Sequence, residues 1–221
     1  MIPPMIRLLV QLMAAALIIA LPVACSAEPD QAEEAALVRT AWDEFRASLL
    51  AGDGATAASR VSKGTFAYYD QLLERALYAD RAELEVIGLG DRFTVLLTRH
   101  RVSGADLKQL DGRGLFALGV DEGWISQSSV SEAGIGEIEV RGDEARAMVL
   151  RDGEPMGEHL PFVREDGRWR FDMTVVLVVL NDMFDSMRAE AGFTEEQFIP
   201  MLIQGTTGEP VSEELWAPRA E

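Results

Sequence analysis

The chain has 221 residues, with 37 acidic and 20 basic side chains, a formal net charge of −17, 48% hydrophobic and 7% aromatic residues. This balance excludes nucleic-acid binding, which needs a basic footprint to neutralise phosphates, and electrostatic adhesion to an anionic membrane surface. The apolar content is too high for a disordered chain, and the length fits one domain.

Met1 to Arg7 forms a short start with one positive charge, and Leu8 to Ala20 is an apolar run broken only by Gln11. Such a run is a signal-peptide core, too short and wrongly flanked for a membrane-spanning helix. It closes on Leu21-Pro22-Val23-Ala24-Cys25, with a small residue directly before the only cysteine. A lone exported cysteine has no intramolecular disulfide partner. The segment resembles the lipobox of bacterial lipoproteins. The resemblance implies a signal peptide at 1–24, acylation of Cys25, a lipidated tether at 25–29 and a membrane partner reached through that lipid. The expected location is the bacterial cell envelope, facing the periplasm, and Ser26 points to the outer membrane. Without acylation of Cys25 the domain is expected to be soluble in the periplasm.

From residue 30 onward the pattern predicts one α+β domain. Asp30 with Glu33 reads as a capping box opening a helix to about Leu50, whose Val38, Ala41, Trp42, Phe45 and Leu49 share one face. Gly52-Asp53-Gly54 ends it. A short helical piece follows near Ala55 to Arg60, then a helix capped by Thr65 and carrying Phe66, Tyr69, Leu73 and Leu77. Helical stretches are expected at Asp91 to Arg101, Ala105 to Leu110 and Arg113 to Trp124, which completes a helical part at 30–130.

Four short strands are predicted within 135–174: Ile135 to Val140, Ala145 to Leu150, Glu158 to Arg164 and Arg168 to Met173. The turns Arg141-Gly142-Asp143, Asp152-Gly153 and Asp166-Gly167 make them antiparallel hairpins. The last strand alternates Trp169, Phe171 and Met173 with Arg168, Arg170 and Asp172, so one face is buried. C-terminal helices are expected at 176–204. The first has Val176, Val179, Leu180, Met183, Met187 and Ala191 on its inward face, and the second opens at a Thr194/Gln197 capping box. A tail occupies 205–221.

Val38-Arg39-x-x-Trp42 leading to Leu49-x-x-Gly52-Asp53 and Ala57-Ala58, with late hairpins ending Gly167-Arg168-Trp169-Arg170-Phe171-Asp172, resembles the nuclear-transport-factor-2-like superfamily. The likeness covers about Asp30 to Leu77 and Ile135 to Thr174. It implies N-terminal helices packed on a curved antiparallel sheet around a pocket, with a helical insertion and C-terminal helices as additions to the minimal cone-shaped domain. Members of that superfamily include dehydratases, isomerases and transport adaptors, so fold alone says little about activity.

Chemistry is sparsely marked. Two histidines and one cysteine assemble no metal set, no loop matches calcium spacing, and no cofactor is expected. Gly112-x-Gly114-x-x-Ala117 mimics a dinucleotide fingerprint but follows a helical stretch rather than a strand. Asp70 is predicted beside Phe66, Tyr69, Leu73 and Leu77. In an enclosed pocket it would serve as a general base; on a helix edge it would be solvated or paired with Arg75. His100, on the face of Phe93, Leu96 and Leu97, reads either as its acid/base partner or as a histidine at a helix C-terminus. Asp172 reads as a third polar candidate or as a sheet-surface ion pair. Trp42, Phe45, Phe66, Tyr68 and Tyr69 are candidate ligand contacts or core, and Met183, Phe184 and Met187 a candidate partner surface or core.

The leading expectation is a non-catalytic envelope lipoprotein that binds a small apolar ligand or a protein partner. One alternative is a pocket enzyme of isomerase or dehydratase type using Asp70 with His100 or Asp172. Another is an assembly component that forms a homodimer through its outer sheet face.

Overall fold

The computed structural model describes residues 31–125 and 131–220. The signal segment, Cys25, the tether, Asp30 of the first capping box and the end of the helical insertion at 126–130 lie outside the described residues. Among the described residues the sheet is preceded by α1 (Gln31–Ala51), α2 (Gly54–Ala58), α3 (Lys63–Tyr78), α4 (Arg81–Glu85), α5 (Leu89–Arg101), α6 (Gly104–Leu107) and α7 (Gly112–Asp121). Strands β1 (Ala133–Arg141), β2 (Glu144–Arg151), β3 (Glu154–Glu165) and β4 (Arg168–Phe171) form a curved antiparallel meander in that order. Helices α8 (Thr174–Glu190) and α9 (Glu195–Thr207) follow, and a 3-10 turn at Glu213–Trp216 closes the described chain. The fold is therefore α+β, with helices before and after the sheet.

The hairpin turns follow from backbone sterics. Asp152 and Gly153, and Asp166 and Gly167, all have positive φ, as a two-residue turn matching the right-handed strand twist requires. Two irregularities bend the sheet. Ile135 pairs with Val149 but Ile138 with Ala147, and Met148 pairs with His159 but Leu150 with Pro155, so β1 and then β3 each bulge.

Helix α1 lies on β1 and β4 with its predicted face inward, and Val38, Ala41, Trp42, Phe45 and Leu49 are all buried. Phe171 of β4 sits 5.6 Å from Trp42, 5.1 Å from Phe45 and 5.4 Å from Phe162, centroid to centroid, which places an aromatic cluster between helix and sheet. Polar clamps flank it. The Trp169 indole N–H (2.7 Å) and Arg164 (2.9 Å) both donate to the buried Glu34 carboxylate, while Arg39 donates to the Ile135 and Gly136 carbonyls at the β1 bulge.

Several local expectations change. The cap of α3 is Ser62, whose hydroxyl accepts from the Thr65 N–H; Thr65 lies inside the first turn, its own hydroxyl accepting from the Met173 N–H. Ser62 has the extended backbone a cap requires, because its N–H bonds the Phe171 carbonyl at the edge of β4. Helix α4 was not expected, although Asp80 and Glu83 form a full capping box at its start. The last strand ends at Phe171, since Asp172 and Met173 turn into α8.

The inward face of α8 is rotated from the expected one. Val176, Leu177, Leu180 and Phe184 face the interior, whereas Val179 and Met187 are exposed. No residue of α8 is fully buried. Its first turns are apolar on every side, so helical periodicity cannot choose a face, and packing on α5 does.

Candidate functional site

Between α1, α3, α5, the sheet and α8 lies a cavity of about 370 Å³. Helix α1 supplies Trp42, Phe45 and Leu49, α3 supplies Tyr69 and Leu72, and α5 supplies Asp91, Phe93 and Thr94. The sheet closes one side with Ala133, Val149, Leu160 and Phe171, and α8 covers another with Val176, Leu177, Leu180, Met183 and Phe184. Trp124 and Ile125, after α7, complete the wall. Among the described lining residues Asp91 is the only charged one. The volume and the mostly apolar lining match a small-molecule pocket.

Asp91 sits in the first turn of α5, where a carboxylate is favoured by the helix dipole. Its Oδ1 accepts the Tyr68 hydroxyl at 2.6 Å, and its backbone N–H donates to Asn181 Oδ1 of α8 at 2.9 Å. Gly88, at the cap position of α5, has no side chain to offer, and Asn181 substitutes for it from the neighbouring helix. A Cβ on Gly88 would lie 2.4 Å from the Asn181 side chain, which would have to shift and give up its capping position, and one on Gly90 would lie 3.1 Å from it, a tight contact. Burial, then the hydrogen bond and charge of Asp91, push the Tyr68 phenol well above its ordinary range. Burial does the same to Tyr69. Both hydroxyls therefore stay protonated at neutral pH.

A smaller space of about 50 Å³ adjoins the cavity beyond Tyr69, between Leu97, Thr98, Leu115 and Trp124. The buried Thr98 Oγ1 and Trp124 Nε1 make no hydrogen bond to any described residue.

Comparison of the chain with protein-family models, with curated proteins and with solved structures finds no match.

The structure separates the sequence-predicted candidates. Trp42, Phe45 and Tyr69 line the cavity; Tyr68 reaches it only through Asp91, and Phe66 lies under the Arg113 guanidinium at 5.3 Å. Asp70, His100 and Asp172 are not in the wall. Asp70 is exposed, and its Oδ1 accepts from the Gly112 N–H at 2.5 Å, so it serves the start of α7. Gly112 is needed there because a Cβ would lie 2.2 Å from the Phe66 carbonyl oxygen, which explains the glycine of the apparent fingerprint. His100, at the C-terminal end of α5, faces Glu209 at 3.5 Å. Asp172 accepts from Ser62 Oγ at 3.0 Å and from the Thr174 hydroxyl and N–H, joining the start of α3 to the start of α8.

Asp91, Phe93, Thr94, Trp124 and the α8 side chains were not anticipated as wall residues. The only sequence signal for Asp91 was an acidic residue opening a predicted helix, which is the commonest of helix features. Met183 and Phe184, read as partner surface or core, also belong to the wall, and Phe184 packs on Phe93 with centroids 5.4 Å apart. Among the described residues no group of acidic, histidine or cysteine side chains is arranged to hold a metal ion, and no helix is long and apolar enough to cross a membrane.

Replacing Asp70 with Ala is expected to cost about 1 kcal/mol, the usual value of a helix-terminal carboxylate. Urea unfolding measures this, and an unchanged midpoint would mean that the Gly112 bond does not hold α7.

Proposed function

We propose that the protein is an exported, lipid-anchored component of a bacterial cell envelope whose domain holds a small apolar molecule. The observation that carries this reading is the apolar cavity of about 370 Å³ beneath α8. Its support is chemical. The wall offers large aromatic and aliphatic surface, and the polar candidates for proton transfer, Asp70, His100 and Asp172, are engaged elsewhere. The anchor rests on the Leu21-Pro22-Val23-Ala24-Cys25 pattern, and kinship with the nuclear-transport-factor-2-like superfamily rests on the sequence likeness together with helices lying on a curved meander.

The test is native against denaturing mass spectrometry of protein extracted from a bacterial envelope, beside a Leu160→Trp variant. Leu160 lines the cavity from β3, and a tryptophan there would take up cavity volume. The wild type is expected to retain a small molecule and the variant to lose it, at an overpacking cost of about 1–3 kcal/mol. Equal retention by both would place the molecule elsewhere, and retention by neither would remove the support for a carrier.

A further inference from the structure

Among the described residues the cavity wall is aromatic, and its one charge is negative. Seven aromatic residues contribute to it: Trp42, Phe45, Tyr69, Phe93, Trp124, Phe171 and Phe184. The faces of such rings are negative and attract cations. Among the described wall residues the single charged one, Asp91, is a carboxylate, and none is a lysine, arginine or histidine. Tyr68 occupies one lone-pair direction on Oδ1, and no described residue bonds to Oδ2, so the carboxylate retains acceptor capacity. Around it is a protein of net charge −17, whose field concentrates cations and repels anions.

We infer that the ligand of this cavity is an apolar molecule bearing one positive charge, an amine or quaternary ammonium, with its cation beside Asp91 and among the aromatic rings. This rests on the reading of the cavity as a binding site and adds the class of its ligand. An anionic counterpart such as a fatty carboxylate would be stripped of water with no cation to pair with, and would face the Asp91 carboxylate as a like charge. A neutral alcohol would keep the apolar contacts and could donate to Asp91, but would lack the attraction of charge. The helix dipole of α5 accounts for an acidic residue in its first turn, but not for its place in an otherwise uncharged aromatic wall.

The experiment uses the full processed chain in zwitterionic phospholipid nanodiscs, titrated calorimetrically with octyltrimethylammonium, 1-octanol and octanoate, with empty discs as the blank. The ammonium is expected to bind about tenfold more tightly than the alcohol, and octanoate most weakly. Asp91→Asn is expected to reduce the ammonium preference to about threefold or less, while Asp91→Glu, which restores the carboxylate, retains it. Thermal melting of each variant, followed by circular dichroism, confirms that the folded protein is being compared. If the three probes bind alike, or octanoate binds best, the charge assignment is overturned and the apolar carrier stands. An undiminished preference in the folded Asp91→Asn protein also overturns the assignment. If none of the probes binds, the carrier reading falls with it.

Discussion

Arg99→Met is expected to lose about 3–5 kcal/mol of stability and to release the C-terminal segment from the body of the domain. Arg99 is 2% exposed and has no carboxylate partner among the described residues. Its guanidinium donates to the carbonyls of Arg75, Ala76 and Ala79 at the end of α3, and to those of Leu215 and Trp216 in the closing 3-10 turn. The α3 carbonyls belong to the last turn of a helix and carry its negative dipole end; the Arg75 carbonyl also accepts the Ala79 N–H, whereas no other backbone donor among the described residues reaches those of Ala76 and Ala79. One planar fork thus satisfies both a helix C-terminus and the tail that crosses it. Burial, and secondarily the nearby Arg219, lower its pKa to about 10, so the folded state carries the cation at some cost at every pH below that value.

Methionine replaces the apolar stem and removes every donor. Each carbonyl left buried and bare costs about 1–3 kcal/mol; that of Arg75 keeps the Ala79 N–H, and some of the other four will relax toward water, which gives the stated range. Guanidinium chloride unfolding measures the loss, and limited proteolysis reports whether the chain near Trp216 opens. Arg99→Lys should fall between wild type and Arg99→Met, because an ammonium keeps the charge without the fixed fork. A loss below about 1 kcal/mol in the methionine variant would show that the tail is held by its other contacts, such as the Arg219 and Ala220 N–H bonds to the Leu77 carbonyl.

The second large effect concerns Phe45, which is 1% exposed, packs against Trp42 and Phe171, and also lines the cavity. Phe45→Ala is expected to cost about 3–5 kcal/mol, from lost transfer energy and from space that the rigid α1 and β4 cannot collapse to fill. That space adjoins the cavity, so the variant should gain more in melting temperature from a saturating benzene-sized apolar compound than the wild type does, since binding to the folded state alone stabilises by mass action. A small loss of stability would mean that α1 does not depend on this ring for its seat on the sheet. A large loss without the extra ligand response would separate the aromatic cluster from the cavity.

How much of this was legible beforehand can be judged element by element. The face of α1 was readable because five apolar residues recur at helical spacing, while the other face is mostly polar apart from the exposed Leu37 and Leu50. The hairpins were readable from Asp-Gly pairs, because few residue types adopt positive φ cheaply. The Thr194/Gln197 capping box appears in the structure as predicted, and the equivalent signal at Asp80/Glu83 was present but unused. Misreadings arose where a residue had two local meanings. Ser62 and Thr65 are both good caps, and the Ser62 bond to Phe171, more than a hundred residues away in sequence, decided between them. Asp70 looked like a carboxylate on an apolar face, but α7 brings the Gly112 N–H to it.

The sequence by itself determined the element types, the antiparallel order of the sheet and the buried stripe of α1, because each depends on periodicity or turn chemistry within a few residues. Tertiary structure alone decided the cavity and its polarity. The wall takes one to five residues from each of several elements, and Asp91 becomes the only charge among the described wall residues where Asn181 of α8 packs on Gly88 and Gly90 at the start of α5. Helical spacing places residues around an axis; which side of that axis meets a cavity is set by the neighbours packed against it, and for α8, apolar on every side in its first turns, no local pattern could choose.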